Sequence, residues 1–309
     1  RYTSSTIIKI LMGVYIGMTV ANIAALKIAG MGWFDAVNHG LTTSATGGFS
    51  TRNASIGYYN NVWIEGITVF FMFLSSIHLG ITYATIAGHR NNIFRNEGCK
   101  FYIFGTIIFC LALSVNLWSN GIYDGFGASL RHGVFQGVSI VTSSGFATAD
   151  TNLWTPLCIC ILIYLSIQGG MAGSTAGGLK SDRILMAGKV IKAQIKQQQH
   201  PGAVIRIKNN GVVQGASVVN FAILYIVIYV LIILVGTIVN TACGLDVLTG
   251  FTASVSSMGN IGPGFGEVGS LNNFSAMPAV VKLMSTLQML LGRLEIFGLL
   301  HFFTMKWWI

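Results

Sequence analysis

Charged residues are scarce in this chain of 309 residues, in which Asp, Glu, Lys and Arg together make up only 9%. A soluble globular domain carries roughly a quarter charged residues. The composition therefore excludes a soluble domain. Hydrophobic residues make up 53% of the chain, and its mean hydropathy is +0.67. The sequence predicts an integral membrane protein.

Cysteine is sparse as well, and it offers neither a disulfide framework nor a metal site. Five cysteines are present, an odd number, and most of them lie within apolar runs. No spacing typical of metal ligands follows from them. The six histidines are equally scattered, so core packing is the expected role of each. The first apolar run does not resemble a signal peptide, because it is too long and has no cleavage-site pattern.

Six apolar runs are each long enough to cross about 30 Å of hydrocarbon as a helix. They lie near residues 6–29, 62–87, 101–118, 154–172, 213–240 and 278–305. The net charge of +9 comes mainly from bases in alternate loops, 88–100 (which includes Arg90) and 180–212. The intervening loops hold the acids Asp35, Asp124, Asp150, Asp246 and Glu267. Basic loops stay in the cytoplasm, so topology accounts for the charge and no nucleic-acid partner is predicted.

Three stretches of small, hydroxylated and glycine-containing residues interrupt these runs. They align on Gly48, Gly145 and Gly262, and each glycine follows a small residue, an aliphatic residue and a hydroxyl at eight, seven and six positions earlier. Lipid offers such a stretch no hydrogen bonds, so it must be buried in protein or line a water-filled path. The chain therefore contains a repeat with a period near one hundred residues. Each repeat is expected to form a span, a re-entrant hairpin and a second span.

The predicted fold is an all-α integral membrane protein, in which repeated helix–re-entrant pore loop–helix units are arranged pseudo-symmetrically around a central ion pore. The expected units are 1–90, 91–180 and 213–309, with a basic cytoplasmic connector at 181–212. Rings of inward-facing backbone carbonyls can replace the hydration shell of a potassium ion. Glycine reaches the required backbone angles cheaply. Three acids are expected at the outer ends of the re-entrant helices, as caps or as attractors of cations: Asp35, Asp124 and Asp246.

The second unit ends in a glycine-rich run, residues 169–178, with adjacent glycine pairs at both ends. We expect this run to break the helix inside the membrane, because each glycine costs a helix about 1 kcal/mol relative to alanine. A helix-packing face of small residues spaced by four is the alternative. The run nearly fits a phosphate-binding loop, but Leu179 stands where the lysine belongs. The spacing of Gly264, Gly266 and Gly269 follows no strand, so no enzyme is predicted.

Five motifs, in order along the whole chain, make the sequence similar to the Trk/Ktr potassium-transporter superfamily. They lie at 45–51, 142–150, 169–180, 260–267 and 291–297. The resemblance implies a multi-pass protein of the bacterial cytoplasmic membrane that takes up potassium, with potassium as the transported ion and no covalently bound cofactor. It further implies a homodimer among membrane lipids. A cytosolic nucleotide-binding regulatory ring is expected to dock on the inner face, with the basic segment 180–208 as its contact; anionic lipid headgroups compete for the same charges.

The same resemblance implies which residues form the site. The selectivity filter is expected at Ala45, Thr46, Gly47, Gly48, Ser143, Ser144, Gly145, Asn260, Ile261 and Gly262. Potassium is expected to bind at Thr46, Gly47, Ser144, Gly145, Asn260 and Ile261. An intramembrane gating loop is implied at 169–178. Its expected members are Gly169, Gly170, Gly173, Ser174, Thr175, Gly177 and Gly178, together with Arg293 on the last helix.

Two cations of the last span differ in their expected roles. Arg293 lies in mid-span, where a charge must face protein or water. A structural pairing with carbonyls or acids of another unit is the alternative to its role in gating. Glu295, two residues away on a helix, is a poor partner for it. Lys282 lies near the outer end of the helix, so we expect it to extend to the surface without a role in transport.

One feature departs from the superfamily, which has four units where this chain has three. The chain begins where the second unit would begin, so it is expected to be a fragment or to omit part of the protein. A non-conducting membrane scaffold, in which the loops merely pack, is the alternative function. Passive flux and flux coupled to sodium or protons both stay open.

Overall fold

The computed structural model describes residues 4–89, 92–203 and 205–304, and this part of the chain is mostly helical, as predicted. Within it, a two-stranded antiparallel hairpin in the connector pairs β1 (Lys208–Asn209) with β2 (Val212–Val213). Short 3-10 helices occupy Ser55–Tyr59, Thr151–Leu153 and Gly266–Val268. Arg90, one of the bases expected in the first cytoplasmic loop, lies outside the described residues.

The helices follow one order in each predicted unit: a long helix, a short helix and a divided helix. The first unit contains α1 (Ser4–Ile28), α2 (Trp33–Ser44), α3 (Val62–Ser75) and α4 (Leu79–Ile86). The second contains α5 (Glu97–Ser119), α6 (Phe126–Val141) and α7 (Pro156–Gln168), and the connector begins with α8 (Ser181–Gln199). The third contains α9 (Ala216–Ala242), α10 (Val247–Gly259), α11 (Ala279–Arg293) and α12 (Ile296–Thr304).

The short helices α2, α6 and α10 lie where the sequence predicts re-entrant helices, and each packs closely on the long helix before it. The small residue of the repeat marks this contact. A Cβ placed on Gly40 would lie 2.3 Å from Ile23 of α1, and one on Gly137 would lie 2.7 Å from the Cys110 sulfur of α5. In the third unit the Ser254 hydroxyl donates to the Ile233 carbonyl of α9 at 2.8 Å. Small residues therefore recur because the two backbones approach each other closely.

The prediction of continuous second spans at 62–87 and 278–305 is wrong. The first is divided at 76–78, where α3 and α4 meet at 105°, and the last is divided at Leu294 and Glu295. By length and composition, three described helices could cross a membrane (α1, α5 and α9), and α3 with α4 would make a fourth. The Ser76 hydroxyl bonds back to the Met72 carbonyl at 3.1 Å. Such bonds compete with helical pairing and help to end α3.

The interior lies around the re-entrant helices, because the long helices turn much of their surface outward. The middle unit contributes the largest buried apolar cluster, including Tyr102, Leu117 and Leu162. The expectation that every histidine packs in the core is wrong. His39 is buried, but His89 and His200 are exposed among the described residues.

Candidate ion pathway

The three loops that follow the short helices repeat the same backbone hydrogen bond. In each, the residue before the aligned glycine donates its N–H to the carbonyl of the repeated hydroxyl residue. The bonds are Gly47 N to Thr42 O at 2.7 Å, Ser144 N to Ser139 O at 3.0 Å and Ile261 N to Ser256 O at 3.0 Å. The alignment drawn from the sequence is therefore an equivalence of structure as well.

Two positions in each loop have a left-handed backbone. The aligned glycines have positive φ angles: 66° at Gly48, 77° at Gly145 and 105° at Gly262. Two residues earlier φ is again positive: 52° at Thr46, 56° at Ser143 and 53° at Asn260. Non-glycine residues adopt this region seldom, and they cluster at functional sites when surrounding structure holds them there. The shared conformation means that all three loops follow one chain path.

The repeated hydroxyl fastens two of the loops. The Thr42 hydroxyl donates to the Phe49 carbonyl at 2.9 Å, and the Ser139 hydroxyl donates to the Phe146 carbonyl at 2.6 Å. Both bonds reach the residue directly after the aligned glycine. In the third loop that position is Pro263, and the buried Ser256 hydroxyl has no partner within the described chain.

The predicted filter residues of the three loops lie side by side. A Cβ placed on Gly48 would lie 1.7 Å from the Ser144 carbonyl oxygen. One on Gly145 would lie 2.0 Å from the Ile261 carbonyl oxygen. The first loop thus contacts the second, and the second contacts the third. On the far side of the third loop, a Cβ on Gly262 would meet nothing within 4 Å among the described residues.

The glycine-rich run breaks the helix, as expected, since α7 ends at Gln168 and α8 starts at Ser181. Residues 169–178 fold into an irregular loop that lies against itself. A Cβ on Gly169 would be 2.3 Å from the Gly177 carbonyl oxygen, and the Ser174 hydroxyl donates to the Met171 carbonyl at 2.6 Å. The alternative of a continuous helix with a small-residue face is therefore wrong.

This loop contacts the inner end of the re-entrant helix in every unit. The Thr46 hydroxyl donates to the Thr175 carbonyl at 2.8 Å, and the Gly177 N–H donates to the Ser143 hydroxyl at 3.1 Å. A Cβ on Gly177 would lie 2.0 Å from the carbonyl oxygen of Gly259, the last residue of α10. The predicted gating residues and filter residues thus form one connected group.

Arg293 reaches the same loop. Its Nη1 donates to the Thr175 carbonyl at 2.8 Å, so one carbonyl accepts from the first and third units together. Glu295 pairs with Arg183 of α8 at 2.9 Å, which agrees with its being a poor partner for Arg293. Lys282 donates to the Ser275 carbonyl at 2.7 Å, away from the loops.

The three outer acids differ in what they contact. The Asp35 carboxylate accepts from the Thr51 hydroxyl at 2.7 Å and from Arg52 at 3.2 Å. The hydrogen bond from Thr51 is the main cause that lowers the pKa of this carboxyl. Asp246 caps α10 by accepting a first-turn N–H at 3.0 Å. The prediction that Asp124 caps α6 is wrong, because α6 has no side-chain cap. Asp35 does not cap α2 either, and it forms the ion pair with Arg52.

Sequence reasoning missed several residues that hold the loop. The Asp182 carboxylate accepts the Ala172 N–H at 2.8 Å, and the buried Lys180 ammonium donates to the Ala176 carbonyl. Ser75 and Ser76, at the break after α3, offer it their carbonyls. The adjacent serines inside an apolar run were the one signal that could have indicated this break.

The fold and the site together define a class: a membrane protein of repeated helix–pore loop–helix units, with a glycine-rich loop under the pore loops. Residues 2–119 and 123–307 match the family described as TrkH, cation transport protein. This chain belongs to that family. As an integral membrane protein of a bacterial transporter family, it has the all-α fold and the membrane location expected from its sequence.

Relatives and a solved structure agree with this membership. The chain is 34% identical, over 97% of its length, to the Trk system potassium uptake proteins TrkH of Salmonella typhimurium and of Escherichia coli K12. Its structure matches that of the potassium transporter TrkH from Vibrio parahaemolyticus with a TM-score of 0.92 and 32% identity, covering 100% of this chain and 66% of the other. The chain spans 62% of the length of these two curated relatives.

Proposed function

We propose that the complete protein takes up potassium ions across the bacterial cytoplasmic membrane, through a filter lined by the backbone carbonyls of these loops. The observation that carries the proposal is the repeated conformation of three adjacent loops, with the same hydrogen bond and the same left-handed positions in each. The relatives named as potassium uptake proteins support the choice of ion. We assign the potassium contacts to carbonyls of Thr46, Gly47, Ser144, Gly145, Asn260 and Ile261.

The helix ends support a cation as the transported species. The loops follow the C-terminal ends of α2, α6 and α10, and a helix carries about half a negative charge at that end. Three such ends meet around the loops and favour a cation there. The backbone carbonyl oxygens of the loops then replace the hydration shell of the cation, as they do in potassium channels.

We propose that residues 169–178 act as the gate. The loop lies against the inner ends of all three re-entrant helices, so an ion that leaves the filter inward encounters it. Thr175 is its centre, because this carbonyl accepts from both Thr46 and Arg293. Opening requires both bonds to break, whereas the filter above keeps its own hydrogen bonds.

Tracer flux tests the proposal. The protein, expressed from its complete reading frame and reconstituted into liposomes, should accumulate tracer potassium or rubidium and discriminate against sodium. Protein-free liposomes and liposomes with a heat-inactivated sample are the controls. A folded protein that carries neither potassium nor rubidium would leave the non-conducting scaffold as the better function.

A cytosolic nucleotide-binding ring and a second copy of the chain are the proposed partners. The exposed bases Lys192 and Lys196 of α8 are available for such a ring. Lys189 is not, because it pairs with Glu97 and with the Lys208 carbonyl. Replacing Lys192 and Lys196 with Gln should therefore weaken co-purification with the ring more than replacing Lys189. Equal recovery would assign these charges to anionic lipid instead. Light scattering of the purified protein measures whether it is a homodimer.

A further inference from the structure

The break in the first unit's exit helix leaves backbone groups for which the helix has no partners. The last four carbonyls of any helix are unpaired within it. At the end of α3 the glycine-rich loop supplies partners for the carbonyl of its last residue, Ser75, and for that of Ser76, the residue after it. The Met171 N–H donates to the Ser76 carbonyl at 2.9 Å, and the Thr175 N–H donates to the Ser75 carbonyl at 3.4 Å. The Thr175 hydroxyl donates to the Ser75 carbonyl as well, at 3.2 Å.

The opposite side of the break is occupied in the same way. The first N–H groups of a helix also lack partners within it. Leu79 is the first residue of α4, and its N–H donates to the Gly173 carbonyl at 3.2 Å. The loop therefore accepts a hydrogen bond from the start of α4 and donates hydrogen bonds to carbonyls at the end of α3.

His78 completes the contact from inside the break. Its Nδ1 accepts the Gly80 N–H at 2.9 Å and so caps α4. The other edge of the ring lies against Gly173, where a Cβ would be 2.4 Å from Cδ2 and 2.6 Å from Nε2. Gly173 also has a φ of 75°, which a residue with a side chain adopts at a cost. Glycine at this position thus permits the close contact with the ring.

We propose that residues 75–79, at the break between α3 and α4, form a second anchor of the gating loop. This anchor lies opposite Arg293 and holds the loop closed. The loop is then suspended between the exit helices of the first and third units. This inference rests on the proposed gating function. It adds that release of the first-unit side, through His78 and Leu79, is needed for full opening.

One pair of variants isolates the anchor. Leu79→Pro removes the N–H that bonds Gly173, while proline suits the first position of a helix. The preceding His78 has φ −54° and ψ 118°, which proline tolerates in the residue before it. Leu79→Ala is the matched control, since it removes the side chain and keeps the N–H. Potassium flux without the regulatory partner should be about fivefold higher for Leu79→Pro than for Leu79→Ala, the factor for one net hydrogen bond.

A double-mutant cycle tests the ring contact independently. Gly173→Ala should raise flux in the wild-type background, because its methyl group displaces the loop from His78. In a His78→Ala background the methyl group has room, and the same substitution should raise flux at least threefold less. The backbone strain of an alanine at the positive φ of residue 173 is the same in both backgrounds, so it cancels when the two effects on flux are compared. His89 is an exposed histidine that follows α4, and His89→Ala should show no coupling to Gly173→Ala.

The outcomes separate the anchor from the gate. Equal flux in the two Leu79 variants, together with an additive cycle, overturns the anchor even if shortening the loop still opens the pathway. A wild-type protein that carries no potassium overturns the proposed function, and the anchor with it. If Leu79→Pro does not fold, the cycle alone decides, because neither of its substitutions introduces a proline.

Discussion

At the scale of single residues, the site depends on backbone positions more than on side-chain chemistry. Gly48 and Gly145 are required twice, once for a positive φ and once for contact with the carbonyl of the neighbouring loop. Thr46 and Arg293 act through one carbonyl, that of Thr175. A substitution at these residues should therefore change where carbonyls lie, rather than remove a charged ligand.

We expect Gly145→Ser to reduce discrimination between potassium and sodium. The new Cβ would lie 2.0 Å from the Ile261 carbonyl oxygen, so that carbonyl must shift. The left-handed angle adds about 1–2 kcal/mol of strain. The ratio of potassium to sodium flux in liposomes measures the effect. Gly127→Ala in the same unit is the control, since its Cβ meets nothing within 4 Å. Unchanged selectivity would remove this loop from the filter.

Arg293→Ala should raise flux about tenfold in the absence of a regulatory partner. A hydrogen bond from a charged donor contributes about 1.5–3 kcal/mol, and its loss favours the open position of the loop. Selectivity should not change, because Arg293 bonds the loop at Thr175 and not the filter. Arg293→Lys keeps the charge and should give an intermediate flux. Flux at or below the wild-type level would make Arg293 a purely structural residue.

At the scale of elements, the recurrent feature is the divided exit helix. Each unit ends in a helix that breaks at 76–78, at 169–180 or at 294–295. The loop formed by the break in the second unit bonds to groups at the other two breaks. These are the Ser75 and Ser76 carbonyls in the first unit and Arg293 in the third. Units one and two are also joined near their outer ends, where Arg131 forms two hydrogen bonds to the buried Glu65 carboxylate.

Shortening the loop within 170–177 should raise potassium flux and leave ion selectivity unchanged. The deletion removes the segment under the filter but none of the bonds within the three filter loops. Flux and selectivity are measured together on the same liposomes. Near-normal thermal unfolding must accompany the result. A folded variant with wild-type flux would identify the loop as a packing element.

At the scale of the whole molecule, sidedness follows from charge and the repeat. The basic connector with α8 is expected on the cytoplasmic side, and the loops between the short helices and the exit helices are expected on the outside. Neighbouring units contact through their pore loops in the order first, second, third. The connector contacts the third unit, because Arg183 of α8 pairs with Glu295.

Cysteines placed at Asn53 and at Gln198 should react from opposite sides of the membrane. Both positions are exposed, and neither replaces a residue of the site. Asn60 is less suitable, because it accepts a hydrogen bond from Arg131. A membrane-impermeant thiol reagent applied to right-side-out vesicles should modify the first cysteine only. The unsubstituted chain reports any background from Cys160, which is exposed. Modification of both from one side would contradict the topology.

The sequence by itself determined the membrane class, the three-fold repeat, the glycine of each loop and the broken helix at 169–178. These features are local, because apolar length, glycine content and spacing act within one segment. The tertiary structure decided that α3–α4 and α11–α12 break, although the adjacent serines hinted at the first break. It alone decided that Asp124 does not cap α6 and that the loop is held by Ser75, Ser76 and Leu79. Those contacts join residues about a hundred positions apart through backbone N–H and carbonyl groups. Every residue type except proline carries both groups, so no side-chain pattern in the sequence can reveal which of them will meet.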